Sequence, residues 1–210
     1  MKRTFDVAIS VCLILVTSPL WLLAAMRIRL HDGGPVFYRA PRIGRFGKPF
    51  TMHKFRTMVL DADRIGGSST SEDDPRVTPV GKWMRRWKID ELPQLLDVLA
   101  GNMSIVGPRP QVQWAVERYS PEERKVLAVR PGITDWASIV YSNEAEILTG
   151  HADADEAYMR LIHPTKMRLA LHYVDTASVW TDVRIILATG FALVGKRPSP
   201  NDLLPGRPSR

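Results

Sequence analysis

Residues 81–110 read GKWMRRWKIDELPQLLDVLAGNMSIVGPRP, and this stretch sets the reading of the rest of the chain. Leu92, Leu95, Leu96 and Leu99 recur at the i, i+3, i+4, i+7 spacing of one apolar helix face, and Gly101 is placed to end that helix. Pro93 then falls in the first turn, where its missing N–H costs least, and Asp90 is a candidate N-cap. The adjacent acids Asp90 and Glu91 therefore sit at a helix N-terminus, directly after the cations Arg85, Arg86 and Lys88. Free backbone N–H groups and the helix dipole favour an anion there, either a capping carboxylate or a bound phosphate. Downstream, Arg109 lies between Pro108 and Pro110, which restrict the local backbone and suit the guanidinium to a phosphate or nucleotide contact. A bland reading makes Asp90 only a cap and the arginines only a solvated face.

The chain has 210 residues, with 29 Lys and Arg against 22 Asp and Glu, a net charge of +7. That balance suits phosphorylated substrates, anionic lipid or nucleic acid alike and does not choose among them. The single cysteine, Cys12, lies in an apolar run, so the sequence carries no disulfide framework. It also shows no Walker A motif, no Rossmann glycine fingerprint and no internal repeat.

That apolar run, VAISVCLILVTSPLWLLAAM over residues 7–26, has the length of a membrane-crossing helix. Ser18-Pro19 interrupts it: Pro19 has no N–H to donate and its ring crowds the carbonyl of Leu15, so a break or kink is expected, with the Ser18 hydroxyl placed to satisfy a freed group. Lys2 and Arg3 precede the run and Arg27 and Arg29 follow it, so the positive-inside rule draws both ends to the cytoplasm. Spanning and re-entrant helices both remain open on these grounds. Asp6, beside Arg3 at the lipid boundary, requires a partner or an interfacial position.

Gly33-Gly34-Pro35 marks a turn. Residues 36–58, VFYRAPRIGRFGKPFTMHKFRTM, read as short strands or hairpins broken by Gly44, Gly47 and Pro49. Arg45 and Lys48 beside these glycines suit a basic skirt against lipid headgroups. The polar stretch GGSSTSEDD, residues 66–74, reads as a loop. Pro121 begins a helix, and the acidic segment 142–156 reads as an exposed insertion. His151 has no second histidine at a ligand spacing, so it makes no metal site. Residues 166–194 read as helices, either core or resting on a bilayer. The proline-rich end reads as a disordered tail.

A carboxylate can attack phosphorus, but both partners are anionic, so metal or guanidinium groups must neutralise the approach. Oxygen ligands and diphosphate chemistry suit Mg²⁺.

Several blocks resemble, in order, those of the bacterial sugar transferases, the monotopic phosphoglycosyl transferases: KRTFD, Ser18-Pro19, GPVFYRAPRIGRFGKPF, KFRTM, DELPQ, GNMSIVGPRP and RPGIT. The resemblance runs from about Lys2 to Lys196. It implies an α+β, mostly helical protein: a re-entrant membrane helix over residues 1–30, broken at Ser18 and Pro19, a cytoplasmic catalytic domain over 31–196 with short strands and amphipathic interfacial helices, and a tail over 197–210. It further implies transfer of a sugar 1-phosphate from a nucleoside diphosphate sugar, usually a UDP-sugar, to polyprenyl phosphate, with release of UMP, as a first membrane step of glycoconjugate or exopolysaccharide synthesis. Asp90 would match the nucleophile that forms an aspartyl-phosphosugar, with Glu91 sharing Mg²⁺ with it. Arg85 would match the arginine on the lipid phosphate and Arg109 a nucleotide-side contact. Lys54 and Arg56, in the KFRTM block, would face substrate phosphates, and Arg130, in RPGIT, would border the site. The location implied is the cytoplasmic face of the bacterial inner membrane, among phospholipids, with no nucleic acid as partner and the oligomeric state open.

Lys88 stands where the family often carries serine, and Asn102 where aspartate is usual, which bears on substrate detail. Two other classes compete. A basic, membrane-tethered nucleic-acid-binding protein accounts for the charge but not for acids set among arginines. A non-catalytic scaffold would tolerate an altered dyad, whereas Asp90-Glu91 is intact.

Overall fold

The computed structural model describes residues 2–65 and 74–204, and it is mostly helical with two small sheets. Helix α1 (Lys2–Asp32) is followed by the antiparallel hairpin β1 (Phe37–Ile43) and β2 (Pro49–Phe55), in the register Phe37 opposite Phe55 to Ile43 opposite Pro49. The expected hairpin thus forms across Gly44–Lys48. Next come α2 (Ala62–Ile65), α3 (Pro79–Arg86), a 3₁₀ turn at Ile89–Glu91 and α4 (Gln94–Ala100). Strand β3 (Ser104–Val106), α5 (Gln113–Glu117), a 3₁₀ segment at Glu123–Ala128 and β4 (Gly132–Thr134) follow. The C-terminal part is helical: α6 (Trp136–Val140), α7 (Glu144–Leu148), α8 (Ala154–Leu161), α9 (His163–Thr176), α10 (Val179–Leu193) and α11 (Pro200–Leu203).

Helix α1 is long and apolar enough to cross a membrane, yet its two ends are bound to one body. Near its start, Lys2 pairs with Asp182 at 2.5 Å, Arg3 donates to the Leu99 carbonyl at 2.9 Å, and buried Asp6 accepts from the Ser104 hydroxyl at 2.9 Å and the Ile105 amide at 3.2 Å. Asp6 is therefore an internal tie to β3 rather than an interfacial charge. Near its end, Ala24 and Ile28 pack with Phe55, Met84 and Ile89, and Asp32 pairs with Arg56. The break expected at Ser18 and Pro19 does not interrupt the helix, which runs on through Pro19 because the Ser18 hydroxyl donates to the Leu15 carbonyl at 2.9 Å, the acceptor that Pro19 leaves vacant. Between the two anchors Leu15, Val16 and Leu22 are exposed. So are Trp180, Leu187 and Phe191 on α10.

The main core joins the hairpin, α4, β3, α6, α9 and α10 through Met52, Leu95, Val98, Ile105, Trp136, Ile139, Leu169 and Ile185. β3 and β4 pair in parallel, Ser104 opposite Gly132. That pairing requires glycine: a Cβ on Gly132 would lie 2.1 Å from the Gly107 nitrogen.

Four expectations need correction. Asp90 does not cap α4: the capping position is Pro93, and Asp90 sits one turn earlier in the 3₁₀ segment. The helix expected from Pro121 is a 3₁₀ segment. The acidic segment 142–156 is not wholly an exposed insertion: Leu148 of α7 is buried with Ala157, Tyr158 and Ile162, which lie just beyond the segment, while residues 149–153 are exposed. In the expected tail, Ser199 and Asp202 form a capping box on α11, and Leu203 and Leu204 pack on the main core. Residues 205–210 of that tail, and 66–73 of the expected loop, lie outside the described residues.

Candidate active site

Lys88 adopts a left-handed conformation (φ 56°), which ends the run from α3 and throws the chain into the 3₁₀ turn that carries the dyad. Ile89 anchors the turn by inserting between Met84, Phe55 and Ile28. Asp90 and Glu91 are thereby held on a packed base that includes both the hairpin and α1, and both line a large open cleft.

The two carboxylates differ in their partners. Arg109 grips Glu91 with two nitrogens, Nη2 donating to Oε1 at 2.6 Å and Nη1 to Oε2 at 3.2 Å. Lys54, on β2, adds a bond to Glu91 Oε1 at 3.3 Å and stands 3.8 Å from Asp90 Oδ2. Asp90 Oδ1 is buried and accepts no hydrogen bond. Burial pushes the Glu91 carboxyl up, but Arg109 and Lys54 outweigh it and hold the group well below the usual carboxylate range. Burial pushes Asp90 up as well, and there the neighbouring cations, Lys54 foremost, do not restore it, with the Glu91 charge adding to the rise. Burial likewise lowers Lys54, opposed by Glu91. The adjacent acids thus have divided environments: Glu91 is a fixed anion, and Asp90 is the more basic carboxylate, with an unpartnered oxygen.

Arg85 lines the same cleft, and its Nε donates to the Thr57 hydroxyl at 2.9 Å. Among the described residues its terminal nitrogens meet no carboxylate, so they are open to an anion. Lys54, Arg85, Asp90, Glu91 and Arg109 are thus brought together.

Arg56 and Arg130 are not part of that group. Arg56 lies one residue past the end of β2, where strand alternation no longer keeps it beside Lys54. Although it borders the cleft, its guanidinium is occupied by Asp32, with Nη1 donating at 2.6 Å, and by the Pro35 carbonyl at 2.8 Å. Arg130 donates from Nε to the Gly101 carbonyl at 2.9 Å and ties the end of α4 to the approach to β4.

Two supporting residues escaped the sequence reading. Thr57 holds Arg85. Asp135, buried at the start of α6, accepts from the Ser138 amide at 2.6 Å and from the Arg109 amide at 3.3 Å, so it seats the Pro108-Arg109-Pro110 backbone. The signal for Asp135 was available, since an aspartate opening Trp136–Val140 is a strong N-cap. Thr57 offered none.

A metal at the dyad is chemically reasonable. Among the described residues no three His, Cys, Asp or Glu side chains cluster to form a full cage. Mg²⁺ does not need one, because it keeps waters and binds through one or two carboxylates together with substrate phosphates. Asp90 Oδ1 has no hydrogen-bond partner, and Glu91 Oε2, taking one bond from Arg109, keeps a second acceptor position.

Several known proteins are similar to this chain over most of its length. The undecaprenyl-phosphate glucose phosphotransferase of Komagataeibacter xylinus is 40% identical over 199 residues, covering 90% of this chain and 35% of that protein. The UDP-glucose:undecaprenyl-phosphate glucose-1-phosphate transferase of Escherichia coli (strain K12) is 36% identical over 199 residues, 91% of this chain and 39% of that protein. The exopolysaccharide production protein ExoY of Sinorhizobium fredii (strain NBRC 101917 / NGR234) is 35% identical over 203 residues, 90% of this chain and 83% of that protein. The chain thus spans less than half the length of the first two and most of the third. The model of the family described as bacterial sugar transferase matches residues 1–196, which takes in α1, the hairpin, the dyad turn and the helical half together, and the chain belongs to that family.

Proposed function

We propose that this protein transfers a sugar 1-phosphate from a nucleoside diphosphate sugar, a UDP-sugar above all, to polyprenyl phosphate, and that Asp90 is the nucleophile. The observation that carries the reading is the buried, unpartnered Oδ1 of Asp90 beside a Glu91 already neutralised by Arg109 and Lys54. Asp90 Oδ1 attacks the sugar-bearing phosphorus. An Asp90–phosphorus ester forms, the bond to the bridging oxygen breaks, and UMP departs with that oxygen. A phosphate oxygen of the polyprenyl acceptor then attacks the same phosphorus and restores the Asp90 carboxylate. Lys54 and Arg109 keep Glu91 from repelling the incoming diphosphate, and the open nitrogens of Arg85 receive the acceptor phosphate. Asp90 and Glu91 would hold Mg²⁺, which would supply neutralisation of the diphosphate charge.

The two anchors of α1 support a re-entrant membrane arrangement. Asp6 and Asp32 are both tied to one polar body, which cannot enter hydrocarbon, so α1 dips into the bilayer and leaves on the side it entered, with Ser18-Pro19 at its deepest part. The flanking cations put that side in the cytoplasm. The exposed apolar residues of α1 and α10 supply the lipid-facing surface. The names of the relatives from Komagataeibacter xylinus and Escherichia coli, which specify undecaprenyl phosphate, support the same reading.

Incubation with UDP-sugar and Mg²⁺ but no polyprenyl phosphate tests it. UMP should appear at no more than one equivalent per enzyme, and intact-protein mass spectrometry should show a hexose-phosphate adduct that Asp90→Asn abolishes. Turnover by Asp90→Asn, or no UMP until lipid is added, would show that Asp90 is not the nucleophile.

A further inference from the structure

The cleft extends past Arg109 to a wall built from the helical half of the protein, which the chemistry above does not use. Ser138 and Ser142, four residues apart on the turn of α6, both line it. Their hydroxyl oxygens are shielded from solvent and have no hydrogen-bond partner. A shielded hydroxyl without a partner destabilises the protein that carries it, and here two such groups share one wall. Beside them Lys166 pairs with Glu144, and its Nζ lies 5.1 Å from the centre of the Tyr158 ring. The Tyr158 hydroxyl in turn accepts from Gln111 Nε2 at 3.3 Å. The wall adjoins the reactive charges: Gln111 is two residues from Arg109, and Arg109, Gln111 and Glu144 line the same cleft.

The chemistry of this wall is that of a ligand rich in hydroxyls and without charge. Lys166 is neutralised by Glu144, so the wall offers no net positive charge for a phosphate. Hydroxyls that can both donate and accept, with a carboxylate acceptor and an ammonium donor beside them, match the alternating needs of vicinal hydroxyls on a sugar ring.

We propose that Ser138, Ser142, Glu144 and Lys166 form the subsite that binds a sugar ring of the donor and so contributes to donor selection. The proposal rests on the donor being a nucleoside diphosphate sugar. Two rings of such a donor carry this chemistry, the transferred pyranose and the ribose of the nucleotide.

Binding measured by calorimetry on the Asp90→Asn protein separates the donor site from turnover. The probes are UDP-glucose, UDP-galactose, UDP-N-acetylgalactosamine, UDP and 2′-deoxy-UDP. Replacing both serines with alanine should weaken the best UDP-sugar by about three- to tenfold, the size expected for lost uncharged hydrogen bonds. The same double substitution should leave the melting temperature of the free protein unchanged or raise it, because neither hydroxyl has a partner to lose. A structural role would lower it. Weakening of UDP-sugars with UDP unaffected identifies the pyranose; equal weakening of UDP-sugars and UDP, with loss of discrimination against 2′-deoxy-UDP, identifies the ribose. Glu144→Gln should act in the same direction on the same probe. Unchanged affinity for every probe in both variants would overturn the subsite while leaving the proposed function standing. If neither the unaltered protein nor Asp90→Asn, with serines intact, binds any UDP-sugar in the presence of Mg²⁺, the donor reading and the subsite fall together.

Discussion

Arg109 and Glu91 meet as a two-toothed clamp, with Nη2 on Oε1 at 2.6 Å and Nη1 on Oε2 at 3.2 Å. The clamp is what separates the two acids of the dyad. It fixes the charge of Glu91 and leaves Asp90 as the carboxylate with an open oxygen. Lysine cannot reproduce a planar fork, so Arg109→Lys should keep the fold but lose a charge-assisted bond of about 1.5–3 kcal/mol. Initial rates of UMP release should fall at least about tenfold. A rate equal to that of the unaltered protein would show that the fork is dispensable.

Gly81 and Thr57 set the distance between α3 and the end of the hairpin. A Cβ on Gly81 would lie 2.0 Å from the Thr57 carbonyl oxygen, which is backbone and cannot swing away. Gly81→Ala should therefore push α3 outward, costing about 1–3 kcal/mol of stability as overpacking does. Because Arg85 sits on α3 and bonds Thr57, the affinity for polyprenyl phosphate should fall as well. Thermal denaturation with acceptor titration checks both, and an unaltered acceptor affinity would detach Arg85 from that role.

Much of this site was legible in the sequence, for identifiable reasons. The hairpin followed from Gly44, Gly47 and Pro49, because turns depend on local chemistry. The pairing of Arg109 with the dyad did not, since it spans separate elements and depends on the parallel β3–β4 pairing, two three-residue strands too short to show a period. The positive φ of Lys88, which moved Asp90 out of the capping position, has no sequence signal, because lysine seldom adopts it. Residues 142–156 are dominated by charge, and the burial of Leu148 depends on Tyr158 and Ile162 beyond that segment, so its packing leaves no local pattern.

Glu123 links the 3₁₀ segment to α9. Its Oε2 accepts from the Ser120 amide at 2.8 Å, and Oε1 lies 3.2 Å from His163 Nε2. Burial pushes this carboxyl up, but the Ser120 and His163 bonds outweigh it and hold the folded-state value below the usual one. The stabilisation is therefore complete above the unfolded value, about 4.3, and is lost as pH falls through the folded value. Glu123→Gln should flatten the fall in melting temperature below about pH 5. An unchanged profile would assign that fall to other carboxylates.

Asp6 joins α1 to β3 through the Ser104 hydroxyl and the Ile105 amide, with only 2% of its surface exposed. Asp6→Leu would leave a buried hydroxyl and a buried amide without acceptors, at about 1–3 kcal/mol each. The protein should unfold at a clearly lower temperature in detergent, whereas Asp6→Asn, which keeps one acceptor oxygen, should lose less. Equal losses would mean that packing rather than hydrogen bonding governs the site.

The same tie underlies the proposed re-entrant topology. At 1.5 Å per residue the 31 residues of α1 reach about 46 Å, more than a hydrocarbon core of about 30 Å, so length alone would allow crossing. Crossing would pull either Asp6 from Ser104 or Asp32 from Arg56, and each loss would expose a charged group that now has a partner. Cysteines placed at exposed Thr4 and His31 in a Cys12→Ser background should thus both react with an impermeant thiol reagent from the cytoplasmic side alone. Replacing Ser18 and Pro19 with leucine restores the amide donor at residue 19 and removes the feature that suits the helix to turning back. It should then favour a straight crossing helix, make the cysteine at residue 4 reactive from the opposite side, and abolish transfer by withdrawing Ala24 and Ile28 from beneath Ile89. Labelling of residue 4 from the opposite side in the Ser18-Pro19 protein itself would establish that α1 spans the bilayer, and would leave the Asp6–Ser104 bond without a place in the membrane-bound enzyme.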